Sequence, residues 1–210
     1  MKITIIGAGN VGRALSGSFT RAGNEVTLSS GHPDNARAVA AETGARAASD
    51  NREAVRDADV VVLAVPYGAL PGVLDEIGDD LSGKIVVDST NPLRPDYQGL
   101  ALEGTSAAEQ VQARVKGARV VKAFNSALAA RQADPTVEGV QVDGFVAGDD
   151  EAAKATVLDL ARSIGFNPVD AGPLEVARAL EAMALLNIIL QLRNNGTWQT
   201  GWKLVGPLTA

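Results

Sequence analysis

Cysteine is absent from this 210-residue chain, and histidine occurs once, at His32. The first absence excludes disulfides, thiolate metal sites and a cysteine nucleophile. The second excludes an ordinary multi-histidine metal centre. Aromatic residues make up only 4 %, so the core is expected to be aliphatic. Basic residues are also scarce, 19 Lys and Arg against 25 Asp and Glu for a formal charge of −6. That balance argues against a nucleic-acid or anionic-membrane binder, whose affinity rests on basic clusters. No apolar run is long enough to span a bilayer, and the opening MKITIIGAG reaches its glycines too soon for a signal peptide. A soluble, cytoplasmic protein is expected.

What is present is an alternation of apolar runs with Ala-rich amphipathic stretches, the pattern of βαβ units. Strands are expected over 2–6, 25–28, 45–48, 59–64, 84–88 and 119–123. Runs such as Val60-Val61-Val62-Leu63 do not alternate in polarity, as befits parallel strands covered on both faces. A helix follows the first strand, with Val11, Leu15, Phe19 and Ala22 on one face and Gly23 ending it. Beyond 123 come a strand near 144–147, a helix over 150–164 and a short strand near 167–170. The fold expected is α/β: a Rossmann-type doubly wound, mostly parallel sheet over 1–123, then a small C-terminal α/β lobe over 124–210. That lobe ends in a long helix, 177–192, apolar on almost every side. Such a helix is expected to be buried all round, either by a second subunit or by its own chain alone.

Gly7-Ala8-Gly9-Asn10-Val11-Gly12 lies directly after the first strand and opens the first helix. In that setting GxGxxG marks a dinucleotide site. Gly7 makes the tight turn, Gly9 lets backbone approach the pyrophosphate, and Gly12 lets helix pack on strand. An NAD-binding version carries an acid about 20 residues later, on the ribose 2′-hydroxyl. Here the second strand runs instead into Ser29-Ser30-Gly31-His32, with Arg37 one turn into the next helix. Hydroxyls, an imidazole and a guanidinium suit a 2′-phosphate, which a carboxylate would repel. NADP is therefore expected over NAD.

Three segments should reach the carboxyl edge of the sheet, where ligands sit in such folds. These are Ala64-Val65-Pro66-Tyr67 after the fourth strand, Ser89-Thr90-Asn91-Pro92 after the fifth, and Phe124-Asn125 after the sixth. Asn125 has a second reading, as the cap of a helix starting at Ser126. No Ser-His-Asp set can be assembled, since His32 belongs to the ribose corner. No Lys or Tyr motif offers a proton donor at a strand end. Direct hydride transfer between two bound redox groups needs neither acid nor base from the protein.

GAGNVG, VVLAVP, VVDSTNPL, VVKAFNSALA, GDDEAAKA and DAGPLEVARALEAMALLNIIL together resemble the coenzyme-F420-dependent NADP oxidoreductases. They are also similar to the cytosolic domains of six-transmembrane metalloreductases. The resemblance covers nearly the whole chain and implies a commonly dimeric, NADP-binding Rossmann protein. In such proteins hydride passes between nicotinamide and a deazaflavin, or a flavin (FMN or FAD) in the metalloreductases. By position, Gly7, Gly9, Asn10, Val11 and Gly12 would hold the pyrophosphate and Ser30 would touch the 2′-phosphate. Ala64, Val65 and Pro66 would line the nicotinamide side, and Asn125 would face the shared pocket. Two departures stand out. F420-reducing members follow the serine with arginines where this chain has Gly31 and His32. Archaeal members have a His-Thr pair where this chain has Asn125-Ser126. Two other readings remain open from the residues: a dehydrogenase of a small carbonyl or imine, and a dinucleotide sensor without turnover.

Overall fold

The computed structural model describes residues 1–206 and 208. Strands β1 (Lys2–Ile6), β2 (Glu25–Ser29), β3 (Arg46–Ala47), β4 (Val60–Leu63), β5 (Ile85–Asp88) and β6 (Arg119–Ala123) lie parallel, in spatial order 3-2-1-4-5-6. Helices α1 (Asn10–Arg21), α2 (Pro33–Thr43), α3 (Asn51–Val55), α4 (Leu70–Ile77) and α5 (Ala107–Arg114) connect them. The expected third strand shrinks to two residues; the other five keep their places. After β6 come α6 (Ala129–Ala133) and a small hairpin of β7 (Thr136–Val137) and β8 (Val140–Gln141). β9 (Asp143–Gly148), α7 (Glu151–Ser163), β10 (Asn167–Gly172) and α8 (Ala177–Arg193) follow. β9 pairs with β6 antiparallel and β10 pairs with β9 parallel, so residues beyond Ala123 extend the same sheet.

The non-alternating strands are buried on both faces, as their composition requires. Val60 and Val62 join Ile3, Leu15 and Phe19 in one core, while Val61 and Leu63 join Leu74 and Ile77 in the other. This is the period-2 side-chain alternation of a strand with no solvent face. Three phenylalanines hold the first core to the far end of the sheet. Phe124 packs edge-on against Phe19 with ring centroids 5.8 Å apart, and Phe166 lies 6.2 Å beyond.

Two expectations change. No helix starts at Ser126: Phe124 takes a left-handed backbone (φ 64°), and helix resumes only in α6 at Ala129. Asn125 is therefore not a helix cap. α8, expected to be buried on all sides, instead hides its polar residues. Glu181, Asn187 and Gln191 are buried, while Leu186, Leu190 and Leu192 are about half exposed. Among the described residues no helix is long and apolar enough to cross a membrane.

The strand order reverses between β1 and β4, which places a crevice at the carboxyl ends of those strands. Gly7, with φ 118°, turns the chain there. A Cβ on Gly12 would overlap the carbonyl oxygen of Gly7, so only glycine lets α1 start this close to β1. A Cβ on Gly9 would meet nothing within 4 Å. Gly12→Ala should therefore lower stability by about 1–3 kcal/mol, a fall of roughly 2–12 °C in Tm. Gly9→Ala should leave Tm unchanged, and thermal unfolding of the two variants separates these outcomes.

Candidate functional site

Gly9 is the N-cap of α1 and brings no side chain to the first free N–H groups of that helix. Those donors, with the helix dipole behind them, belong to a turn whose Gly9, Asn10 and Val11 line an open cavity. The loop thus has the form of a pyrophosphate cradle: tight at Gly7 and Gly12, open at Gly9. Asn10 and Val11 begin the helix beside it.

The ribose corner is built differently from its reading in the sequence. Ser29 is buried, and its hydroxyl donates to Asn51 Oδ1 at 2.8 Å while its carbonyl accepts from the Gly7 N–H at 2.8 Å. Ser29 therefore supports the corner from beneath and presents no hydroxyl to a phosphate. The reason is where β2 ends: Ser29 is its last residue and still covered, whereas Ser30 lies beyond the strand and is half-buried. Ser30 Oγ accepts from the His32 N–H at 3.2 Å, and His32 itself is exposed. Arg37 is exposed and paired with Asp34 one turn earlier. An exposed ion pair of this kind contributes at most about 1 kcal/mol, so it leaves the guanidinium free to swing toward an anion.

Three connected cavities lie along the carboxyl edge, all meeting at Val11. The first, about 270 Å³, is lined by Gly9, Asn10, Ala64, Val65, Pro66 and Tyr67 together with Ser89, Thr90 and Asn91. The second, about 150 Å³, is bounded by Asn91, Asn125, Leu128 and Ile188. The third is an apolar hollow of about 710 Å³ walled by Leu93, Tyr97, Leu128, Ile188, Leu192 and Trp198. No Asp, Glu, His, Lys or Arg lines any of the three.

The polar walls are held rigidly. Asn125 Nδ2 donates to Asn91 Oδ1 at 2.9 Å and to the Leu180 carbonyl at 3.0 Å, while Asn91 Nδ2 donates to the Asn125 carbonyl at 3.0 Å. Ser89 Oγ donates to the Leu63 carbonyl at 2.7 Å and Tyr67 OH to Gln110 at 2.7 Å. Pro92 departs from expectation: it is buried and lines none of the three cavities. The chain has already turned inward there, and the Pro92 carbonyl accepts from Ala101 N–H at 2.6 Å.

Behind these walls sits a charged cluster that sequence reasoning missed. Lys122, wholly buried, donates from Nζ to Asp88 Oδ2 at 2.8 Å, Glu181 Oε1 at 2.7 Å and the Thr90 carbonyl at 2.7 Å. All three donors of the ammonium are thereby used. Asp88 Oδ1 accepts from the N–H and hydroxyl of Thr90, and Glu181 Oε1 accepts from Ala107 N–H. A signal was visible: a lysine inside an otherwise apolar strand of a doubly covered sheet must find buried acceptors. Tyr97, Leu128, Ile188 and Trp198 were missed for another reason, because only the tertiary fold gathers them at one wall.

Burial lifts the Glu181 carboxyl above its ordinary value of 4.5 despite the attraction of Lys122, and the Asp88 charge adds to the rise. The folded state therefore holds this proton more tightly than the unfolded chain. The stability it contributes is complete below pH 4.5 and lost as pH rises through the raised value. Glu181→Gln keeps both bonds to Oε1 and should remove that component from the Tm–pH profile. Lys122→Met leaves two carboxylates buried without their cation and should cost about 3–5 kcal/mol, measurable by denaturant unfolding.

Comparison with known proteins agrees with this geometry. Residues 2–92 match the family described as NADP oxidoreductase, coenzyme F420-dependent. An F420-dependent NADP reductase of Methanothermobacter thermautotrophicus is 34 % identical over 92 % of this chain and 90 % of its own. The metalloreductase STEAP3 of Rattus norvegicus is 34 % identical over 88 % of this chain, which corresponds to 36 % of that longer protein. Among solved structures, a candidate F420-dependent NADP reductase of Arthrobacter sp. FB24 superposes with a TM-score of 0.88 at 28 % identity, over 98 % of this chain and all of that one.

Proposed function

The chain belongs to the family of F420-dependent NADP oxidoreductases, and from that premise we propose that it transfers hydride between NADP(H) and coenzyme F420. The observation that carries this reading is the run of three cavities meeting at Val11, none lined by Asp, Glu, His, Lys or Arg. The glycine loop leads into the first cavity, which suits a nicotinamide between Pro66 and Asn91. The apolar hollow beyond suits a second ring system. Bound there, NADPH supplies two electrons and a proton as hydride, the acceptor takes one further proton from solvent, and NADP⁺ remains. The protein holds the two rings in register and excludes water; Tyr67, Asn91 and Asn125 fix the polar walls between them. Position alone can account for a large acceleration of such a transfer.

A flavin acceptor, FMN or FAD, is the second reading. The similarity to a metalloreductase supports it, as does Asn125-Ser126 in place of a His-Thr pair. We also place the reaction in the cytoplasm and assign the exposed Leu186 and Leu190 face of α8 to a homodimer contact.

The direct test is oxidation of NADPH by the purified protein with F420, FMN and FAD offered separately, and NADH as the control donor. Rapid loss of the F420 visible absorbance with NADPH alone is the expected result. NADPH binding without turnover on any of the three acceptors would overturn the assignment. The corner makes a second prediction. Ser30→Asp sets a carboxylate against the 2′-phosphate and should raise the Kd of NADPH at least about tenfold, with little change for NADH. Equal effects on both nucleotides would remove Ser30 from the site.

A further inference from the structure

Residues 194–204, beyond α8, form a strap across the carboxyl edge of the sheet, and it is clasped at three places. At the first, Trp198 N–H donates to Gln191 Oε1 at 2.9 Å, Gln191 Nε2 to Thr200 Oγ1 at 2.8 Å, and Thr200 Oγ1 to Asn187 Oδ1 at 2.7 Å. At the second, Arg131 donates to Gln199 Oε1 at 2.7 Å. At the third, the buried Asp143 accepts from Lys203 Nζ at 2.8 Å and from the Leu204 N–H, while its own N–H donates to the Trp202 carbonyl at 2.9 Å. Burial alone would raise the Asp143 carboxyl, yet Leu204, Lys203 and Asn167 together hold it below the usual carboxylate range.

What this clasped strap displays is Trp198. The residue lines the apolar hollow, is 43 % exposed, and sits in a left-handed backbone conformation, φ 59°. Tyr97, from the loop after β5, lines the same hollow, is 44 % exposed and is also left-handed, φ 54°. Side chains bearing a Cβ rarely adopt that conformation, and they persist in it where surrounding structure over-determines them. The distribution of aromatics points the same way. The chain has two Tyr and two Trp, and three of those four line the connected cavities. An exposed aromatic surface held rigid at a hollow of about 710 Å³ fits a ligand of fused rings. A small aliphatic substrate would leave most of it wet.

We propose that Trp198, aided by Tyr97, is the acceptor-specificity determinant, selecting a planar fused-ring heteroaromatic by stacking, and that Asn187, Gln191, Arg131 and Asp143 are positioning residues for the strap that carries it. The inference rests on the hydride-transfer reading above and adds to it what the second ring touches. It also accounts for the buried Asn187 and Gln191 of α8, which no part of the nucleotide site uses.

Equilibrium titration of the full chain with F420, FMN and NADPH separately, in wild type, Trp198→Ala, Trp198→Phe and Trp198→Leu, tests it without turnover. Trp198→Ala should weaken F420 and FMN roughly five- to a hundredfold, the range of ring stacking on aromatic side chains. Trp198→Phe should hold them within about threefold and Trp198→Leu should not, with NADPH unchanged throughout. The phenylalanine–leucine contrast keeps the test readable should the alanine variant fail to fold. Gln191→Met, which unclasps the strap, should reproduce the Trp198→Ala loss on acceptor affinity alone. Acceptor affinity that survives Trp198→Ala, or falls equally for NADPH, overturns the proposal. So does a Trp198→Ala protein whose sedimentation changes while its acceptor affinity does not, since Trp198 would then be a subunit contact. Wild-type protein that binds NADPH but neither ring system would sink the hydride-transfer reading itself, a result distinct from these.

Discussion

The ammonium of Lys122 is wholly buried, and the acceptors it needs come from three parts of the chain. One is the last residue of β5, one is the loop after it, and one is the final helix. An uncompensated charge in that position would cost several kcal/mol, so the native fold must bring all three together. Doing so sets the Thr90–Asn91 loop that walls the first cavity. It also ties α8 to the sheet, and with α8 the clasps that hold the strap. Much of the site therefore depends on one buried cation that touches neither proposed ligand.

The same constraint explains why α8 is turned as it is. A helix with leucine, isoleucine and methionine on nearly every side has no obvious inner face. Glu181 is drawn in by Lys122, and Asn187 and Gln191 are drawn in by the strap. Those three share the inner face with the buried Ala177, Leu180 and Ala184, and Leu186, Leu190 and Leu192 are left about half exposed. Polar satisfaction, together with the burial of Ala177, Leu180 and Ala184, sets the rotation of this helix.

The nucleotide corner illustrates a finer decision. Ser29 and Ser30 are adjacent and chemically identical, yet one hydroxyl is buried on Asn51 and the other remains near the surface. The sheet is covered on both faces, so the last residue of β2 is internal and the residue beyond the strand end is not. Which serine that is depends on where β2 ends in register with β1, and that is a property of the sheet.

The sequence by itself determined the sheet and the nucleotide loop. Unbroken apolar runs mark strands covered on both faces, and the spacing of Gly7, Gly9 and Gly12 after the first of them admits few alternatives to a phosphate-binding turn. These are local signals, carried by residues close together in the chain. That the residues after Leu63, Asp88 and Ala123 share one edge was legible for the same reason: strand ends in a parallel sheet lie together. Tertiary structure alone decided the rest. The antiparallel turn of β9, the inward polar face of α8, the burial of Ser29 and the placing of Tyr97 and Trp198 on one hollow all depend on contacts between residues far apart in sequence. Lys122 shows the division plainly. Its presence in an apolar strand says that buried acceptors must exist, and only the folded chain, 59 residues on, supplies Glu181 as one of them.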